Sequence, residues 1–204
     1  NFIQNKLREV AYQKKNDGLL RCFSAFNGFA IYRKDKFLNV QYENGIDWYL
    51  SNFINKSTKI LGEVDPDYLY FNEAVKRIKK LYDSPKFIVV LRNPIKRAYS
   101  HYLMSVRRGY ETFSFDEAIK REKNRLKTGW FSRQHHSYID RGHYYNQIKF
   151  YKQTFPNSKF LFLKFDNLFN KDLNKIIFDF LEIKDVEISL TKENSSSIPR
   201  FKFL

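Results

Sequence analysis

Apolar positions along the chain follow two spacings, one typical of amphipathic helices and the other typical of buried strands. Continuous apolar runs of strand length occupy residues 86–91 (KFIVVL) and 159–165 (KFLFLKF), and a shorter strand is predicted to end at Glu63. Helices are predicted over residues 2–15, 44–53, 72–82, 113–127, 144–155 and 173–183. Helices that alternate with short buried strands predict an open α/β fold, in which a parallel sheet carries helices on both faces.

The sequence changes character at Arg92, directly after the apolar run 86–91. Asn93 is a good N-cap residue and Pro94 suits the first helical position, so a helix is predicted to begin immediately after the arginine. The apolar face of this helix is predicted to consist of Ile95, Ala98, Tyr99 and Tyr102. The chain is therefore expected to pass from strand to helix within two residues.

The polar residues around this transition suit an anion. Ligands of open α/β sheets bind beyond the carboxyl ends of the strands, which is where Arg92 is expected to lie. Ser100 shares one face of the predicted helix with Lys96, four residues earlier. The arginine fork, the serine hydroxyl and the free amides of the helix start together predict an anion site. An arginine that is salt-bridged at a strand end, beside a solvated serine, stays open as the alternative.

The composition indicates a folded protein with an anionic partner. The chain has 204 residues, of which 43% are hydrophobic, and this is enough to bury the core of one domain spanning residues 1–204. Lys and Arg outnumber Asp and Glu by 37 to 22. The resulting net charge of +15 favours a nucleic acid, a membrane surface or a phosphate- or sulfate-bearing small molecule as partner. The single cysteine, Cys22, excludes an internal disulfide.

The segment VVLRNPIKRAYSHYLMS resembles the 3'-phosphate-binding motif of the sulfotransferases that use 3'-phosphoadenosine 5'-phosphosulfate (PAPS). That motif is an apolar strand, R-[DN]-P, and a helix with a serine eight residues after the arginine; Arg92 and Ser100 match it. The resemblance implies the sulfotransferase fold, a P-loop-type open parallel sheet, with these two side chains on the 3'-phosphate.

Other segments resemble the same family in the same order. These are KILGEVDPDYLY, RGHYYNQIKFYKQTFPNSKFLFLKFDNL and NSSSIPRFKFL. The last one resembles a late loop, N-x-S-x-x-P-R, that closes over the nucleotide. The resemblance therefore implies that Arg200 and Lys202 also contact the nucleotide.

Two segments depart from the family pattern. The lysine-bearing 5'-phosphosulfate loop, K-x-G-T-[TS], is absent from these residues, and the loop and its strand are expected before Asn1. Members that act on sugars have K-E, an aromatic patch and then G-[IL]-D-W-Y, where YRKDKFLNVQYENGIDWYL has Lys34 and Asp35. The resemblance implies Asp35 as the catalytic base, Lys34 near the sulfuryl group and Glu63 as a second carboxylate. Two alternative interpretations stay open: Asp35 as a solvated loop carboxylate, and Glu63 as a residue that anchors the turn.

The sequence as a whole predicts a PAPS-dependent sulfotransferase that acts on a hydroxyl or amine of a carbohydrate. PAPS and its desulfated product are the expected partners; nucleic acid, membrane contact and a metal are not expected, and His135 and His136 lack partners at metal spacing. Basic side chains such as Arg107, Arg108 and Arg125 form either a path for an anionic polysaccharide or a solvated face.

Two alternatives belong to other classes of protein. One is a P-loop kinase-like nucleotide-binding protein, which would share the sheet architecture. The other is a basic nucleic-acid-binding protein explained by charge alone. The expected location is the bacterial cytoplasm, with the Golgi lumen as the alternative, because the chain lacks the loop disulfide of many animal polysaccharide sulfotransferases.

Overall fold

The computed structural model of the protein describes residues 22–24, 62–170 and 172–183. The strands are β1 (Cys22–Ser24), β2 (Gly62–Val64), β3 (Lys86–Leu91) and β4 (Phe160–Lys164). The helices are α1 (Asn72–Leu81), α2 (Pro94–Arg107), α3 (Phe115–Arg125), α4 (Trp130–His135), α5 (Tyr144–Thr154) and α6 (Leu173–Leu181). Short 3-10 turns cover Leu126–Thr128, Asp140–Gly142 and Phe165–Phe169. The predicted α/β architecture is confirmed.

The four described strands form one parallel sheet in the order β2-β1-β3-β4. Strand β3 pairs with β1 on one side and with β4 on the other, and its residues from Phe87 to Val90 are buried as predicted. Strand β4 was predicted to be buried as well, and that prediction is wrong. Phe162 is 39% exposed, because β4 lies at one end of the described strands and pairs with β3 alone among them.

The chain divides into two compact units. Among the described residues, the sheet unit comprises those up to residue 91 and those from residue 148 onward, and it contains the four described strands. The helical unit comprises residues 92–147 of the described part, and it contains α2, α3 and α4. The prediction of one domain over residues 1–204 stays a prediction.

Aromatic rings build much of the core of the sheet unit around Phe87 of β3. The ring of Phe87 lies 5.2 Å from that of Tyr151, 5.0 Å from that of Phe155 and 4.9 Å from that of Phe160. Tyr151 is 1% exposed, and its hydroxyl donates a hydrogen bond of 2.8 Å to the carbonyl of Tyr68. The hydroxyl is thereby satisfied inside an apolar environment, as a buried tyrosine requires.

The buried face of α2 differs from the predicted one. Ile95 is 75% exposed and Tyr99 is 43% exposed, so the prediction that they form the buried apolar face is wrong. The helix instead buries Arg97, Ala98, His101 and Ser105. This face can be buried because its polar groups have partners: the guanidinium of Arg97 donates to the carbonyl of Tyr138, and the Ser105 hydroxyl donates to the carbonyl of His135 at 2.8 Å.

Most other predicted elements within the described residues are confirmed to within a few positions. Helix α3 is one of them, and it begins at a cap in which the Ser114 hydroxyl accepts from the amide of Glu117 at 3.4 Å. The pattern missed β1 and α4, which are too short to show a period. The helices predicted over 2–15 and 44–53 lie outside the described residues. Within the described part of the chain, no helix combines the length and apolarity needed to cross a membrane.

The buried hydroxyl of Tyr151 gives a test of the sheet-unit core. Replacing Tyr151 with Phe leaves the carbonyl of Tyr68 without this donor, so we expect the free energy of unfolding to fall by about 1–3 kcal/mol. Urea denaturation measures it. Tyr145→Phe, in the same helix at a side chain that is 75% exposed, is the matched control and should change stability little. Equal unfolding free energies for the two variants would contradict the assignment.

Candidate functional site

The turn between β3 and α2 is built around Asn93. Its side-chain oxygen accepts from the amides of Ile95 and Lys96, at 3.1 Å each, and Pro94 occupies the first turn of the helix. The cap predicted from the sequence is confirmed. Because the cap holds the helix start directly after Arg92, the positive end of the α2 dipole opens beside that arginine.

Arg92 and Ser100 both belong to the helical unit. Arg92 is half-buried, and Ser100 is half-buried about two turns further along α2. A guanidinium and a serine hydroxyl are both hydrogen-bond donors that suit a phosphate, and the helix start beside Arg92 adds a favourable dipole. The residues present therefore suit the 3'-phosphate of a nucleotide.

The segment RGHYY, residues 141–145, lies against this turn. The hydroxyl of Tyr144 donates a hydrogen bond of 3.0 Å to the backbone carbonyl of Arg92. Burial raises the pKa of Tyr144, although Arg97 and Arg92 oppose the shift, so the hydroxyl keeps its proton at neutral pH. Tyr144 thus anchors the peptide group that carries the arginine.

Gly142 meets the first residue of α2. A Cβ atom placed on Gly142 would lie 3.3 Å from the Cβ of Pro94, which is tighter than ordinary side-chain contact. A residue without a side chain therefore lets the segment approach the helix start closely. The RGHYY segment therefore supports the helix start at two points: Gly142 fits closely beside Pro94, and the Tyr144 hydroxyl binds the carbonyl of Arg92.

Glu122 of α3 holds the turn that contains Gly142. Its carboxylate accepts from the amides of Ile139, at 2.9 Å, and Asp140, at 2.8 Å. Burial raises the pKa of Glu122, and the two amide donors only partly offset that effect. The turn Asp140–Gly142 is thereby attached to α3 by a buried acceptor.

Two residues of the buried face of α2, Arg97 and His101, lie near the buried Arg141. Arg97 donates to backbone carbonyls of Ser137 and Tyr138, and Arg141 donates to the hydroxyl of Ser137 at 3.1 Å. Burial lowers the pKa of His101 well below its usual value, and the charges of Arg141 and Arg97 lower it further. His101 is therefore a neutral core histidine at neutral pH.

Glu111 determines the role of Arg125. The Glu111 carboxylate lies 2.6 Å from the Arg125 guanidinium and accepts from the Tyr138 hydroxyl at 2.8 Å. Burial would raise the pKa of Glu111, but these hydrogen bonds and that of the Phe113 amide outweigh burial and lower it. Arg125 is thus bound to a buried carboxylate, whereas Arg107 and Arg108 are exposed on the surface.

The structure locates the other predicted site residues only in part. Glu63 is the second residue of β2, and it pairs with Phe23, which in turn pairs with Phe87. The backbone of Glu63 is therefore level with Phe87 in the sheet, about 13 Å before the carboxyl end of β3. Four predicted site residues, Lys34, Asp35, Arg200 and Lys202, lie outside the described residues. No group of three or more His, Cys, Asp or Glu in the described part of the chain could hold a metal ion.

The sequence assigned no role to Tyr144, Gly142 or Glu122. The signal was present for the first two, since the R-G-x-Y segment was recognised as part of the family pattern. Glu122 carried no such signal, because a glutamate on a charged helix is usually solvent-exposed. Its function depends on a contact across 17 residues that no local pattern shows.

A parallel sheet in which a buried strand leads through an arginine into a capped helix defines an α/β protein, the class in which ligands bind beyond the carboxyl ends of the strands. The sequence matches the family described as "Sulfotransferase domain" over residues 31–200, which is most of the chain. The chain therefore belongs to the sulfotransferase domain family.

Similar proteins agree with this family. Human "Heparan sulfate glucosamine 3-O-sulfotransferase 6" is 30% identical over 149 residues, which cover 71% of this chain and 42% of that protein. Human "Bifunctional heparan sulfate N-deacetylase/N-sulfotransferase 3" is 34% identical over 119 residues, covering 49% and 13% respectively. The chain spans about two fifths of the length of the first of these relatives.

A solved structure supports the fold. A sulfotransferase from Alicyclobacillus acidocaldarius superposes with a TM-score of 0.66 at 20% identity. The match covers 85% of this chain and 86% of that one. The predicted sulfotransferase fold is thereby confirmed.

The buried neutral state of His101 predicts an acid-sensitive stability. Its folded pKa lies below the unfolded value, so the unfolded chain binds the extra proton, and stability is lost as the pH falls below about 6.5. In His101→Phe the melting temperature should depend less on pH between about 5 and 7. A smaller slope should remain, because burial also lowers the pKa of His136. His143→Phe, at a side chain that is 64% exposed, is the control, and equal slopes in both variants would exclude this role.

Proposed function

We propose that the protein transfers a sulfuryl group from PAPS to a hydroxyl or amine of a carbohydrate. The observation that carries this proposal is the turn at Arg92, where an arginine, a capped helix start and Ser100 follow a buried parallel strand. Family membership supports sulfuryl transfer as the reaction type. The donor and the acceptor are part of the proposal.

The nucleotide is held mainly through its phosphates. Arg92 provides a planar pair of donors for the 3'-phosphate, and the Ser100 hydroxyl donates from the same side of α2. Arg200 and Lys202, in the segment that resembles the late family loop, neutralise further phosphate charge. These contacts with the 3'-phosphate thus let the site select PAPS over a nucleotide that has no 3'-phosphate.

The reaction itself demands positioning and charge stabilisation. A lone pair of the acceptor oxygen or nitrogen attacks sulfur while the bond from sulfur to the 5'-phosphate oxygen breaks, and 3'-phosphoadenosine 5'-phosphate leaves. Asp35 takes the proton that the acceptor loses, and Lys34 stabilises the charge that develops on the sulfuryl oxygens. Glu63 is the second candidate for the catalytic base.

A carbohydrate acceptor is favoured by two sequence features. The segment GIDWYL, residues 45–50, resembles the carbohydrate branch of the family, and similar proteins are named for heparan sulfate. The net charge of +15 suits an anionic polysaccharide. The bacterial cytoplasm stays the proposed location.

Nucleotide binding tests the donor. Calorimetric titration with 3'-phosphoadenosine 5'-phosphate should show micromolar affinity, and 5'-AMP should bind much more weakly because it lacks the 3'-phosphate. Arg92→Ala removes the charged donor pair and should weaken binding of the first nucleotide by about 10- to 100-fold. Arg107→Ala, at an exposed arginine in the last turn of the same helix, is the control. Equal affinity for both nucleotides would refute PAPS as the donor.

The base is tested separately from binding. With PAPS and an unsulfated uronic acid–glucosamine polysaccharide, Asp35→Asn should lower kcat by about 100-fold or more and leave nucleotide affinity nearly unchanged. Glu63→Gln is the matched carboxylate variant and should retain most of the activity. A loss of kcat in Glu63→Gln alone would assign the base to Glu63 and exclude Asp35.

A further inference from the structure

Arg92 lies between the backbone hydrogen bonds of strand β3 and those of helix α2. The paired register of β3 and β4 ends at Leu91, one residue earlier. The helical hydrogen bonds of α2 begin at the carbonyl of Asn93, which accepts from the amide of Arg97 at 2.9 Å. The peptide group of Arg92 therefore lies between the last strand pair and the first helical bond.

At this position the backbone carbonyl of Arg92 accepts a hydrogen bond from a side chain. The Tyr144 hydroxyl reaches it at 3.0 Å from the first residue of α5. A hydrogen bond to the carbonyl restrains rotation of this peptide plane, and with it the backbone torsion ψ of Arg92, the residue whose Cα carries the guanidinium side chain. The Tyr144 hydroxyl thus acts on the arginine without contacting its guanidinium.

The tyrosine is itself held in place. Two residues earlier, Gly142 lies against Pro94, and the turn Asp140–Gly142 is attached to α3 through the carboxylate of Glu122. On the far side of the helix start, Asn93 fixes the amides of Ile95 and Lys96. The start of α2 is therefore held by its own cap and by the RGHYY segment.

We propose that Tyr144 is a positioning residue for 3'-phosphate recognition, acting by orienting the Arg92 peptide through this hydrogen bond. The inference rests on the proposed function, because it assigns Arg92 to the 3'-phosphate. Its consequence is selective: loss of the hydroxyl weakens binding through the 3'-phosphate and leaves the rest of the nucleotide site intact.

The test compares two neighbouring tyrosines. Tyr144→Phe removes only the hydroxyl that binds Arg92, whereas Tyr145→Phe removes a hydroxyl from a side chain that is 75% exposed. For Tyr144→Phe we expect the affinity for 3'-phosphoadenosine 5'-phosphate to fall by about 5- to 10-fold, the effect of one hydrogen bond. Affinity for 5'-AMP should stay unchanged, so the ratio of the two affinities falls. Tyr145→Phe should keep the ratio of the unmodified protein.

A second variant perturbs the segment that carries Tyr144 but retains the tyrosine itself. In Gly142→Ala the new methyl group meets Pro94 and displaces the segment that carries Tyr144, so the affinity ratio should fall here too. Circular dichroism melting confirms that each variant is folded at the temperature of titration. A purely structural role of Tyr144 would lower the melting temperature and leave the affinity ratio unchanged.

The outcomes separate this inference from the proposed function. A reduced ratio in Tyr144→Phe, with Tyr145→Phe unchanged, supports the positioning role, and a reduced ratio in Gly142→Ala as well agrees with it. An unchanged ratio in Tyr144→Phe, when the unmodified protein prefers the 3'-phosphorylated nucleotide, overturns the positioning role whatever Gly142→Ala shows, and it leaves the proposed function standing. Equal binding of both nucleotides by the unmodified protein overturns the two together.

Discussion

The side-chain cap of Asn93 is the interaction on which the candidate site depends. It ends the extended chain and starts a helix within two residues, so that one arginine is left at the exit of a buried strand. A cap of this kind satisfies amides that a helix start leaves unbonded. Without it, the first turn of α2 would fray, and Arg92, Lys96 and Ser100 would no longer keep fixed positions relative to one another.

The helical unit is organised by polar contacts as much as by apolar ones. Its apolar cluster is small, with Ala98, Ala118 and Tyr138 at the centre. Around it, buried Glu111 and Glu122 accept hydrogen bonds from side chains and backbone amides, and buried Arg97 and Arg141 donate to oxygens of the segment that precedes α5. Buried charges cost free energy unless they have such partners, so these hydrogen bonds limit the packings that the helical unit can adopt.

The sequence predicted what local pattern controls. The apolar run 86–91 and the N-cap Asn93 predicted strand β3 and the start of α2 correctly. It failed where partners across the chain decide burial. Ile95 and Tyr99 are exposed although apolar, Arg97 is buried although charged, and the hydrogen bond from Tyr144 to Arg92 joins residues 52 positions apart. The candidate anion site could thus be proposed from the sequence, but the segment that supports it could not.

The contact between Gly142 and Pro94 has a consequence for the way the two positions can vary. They share one small volume, since a single added carbon at position 142 already crowds the proline ring. The crowded atom is the Cβ of Pro94, so only glycine at position 94 would remove it, and any other residue there requires a small shift of the backbone when position 142 carries a side chain. Among sequences that fold in this way, the two positions should change as a pair, one at the start of a helix and the other nearly fifty residues later.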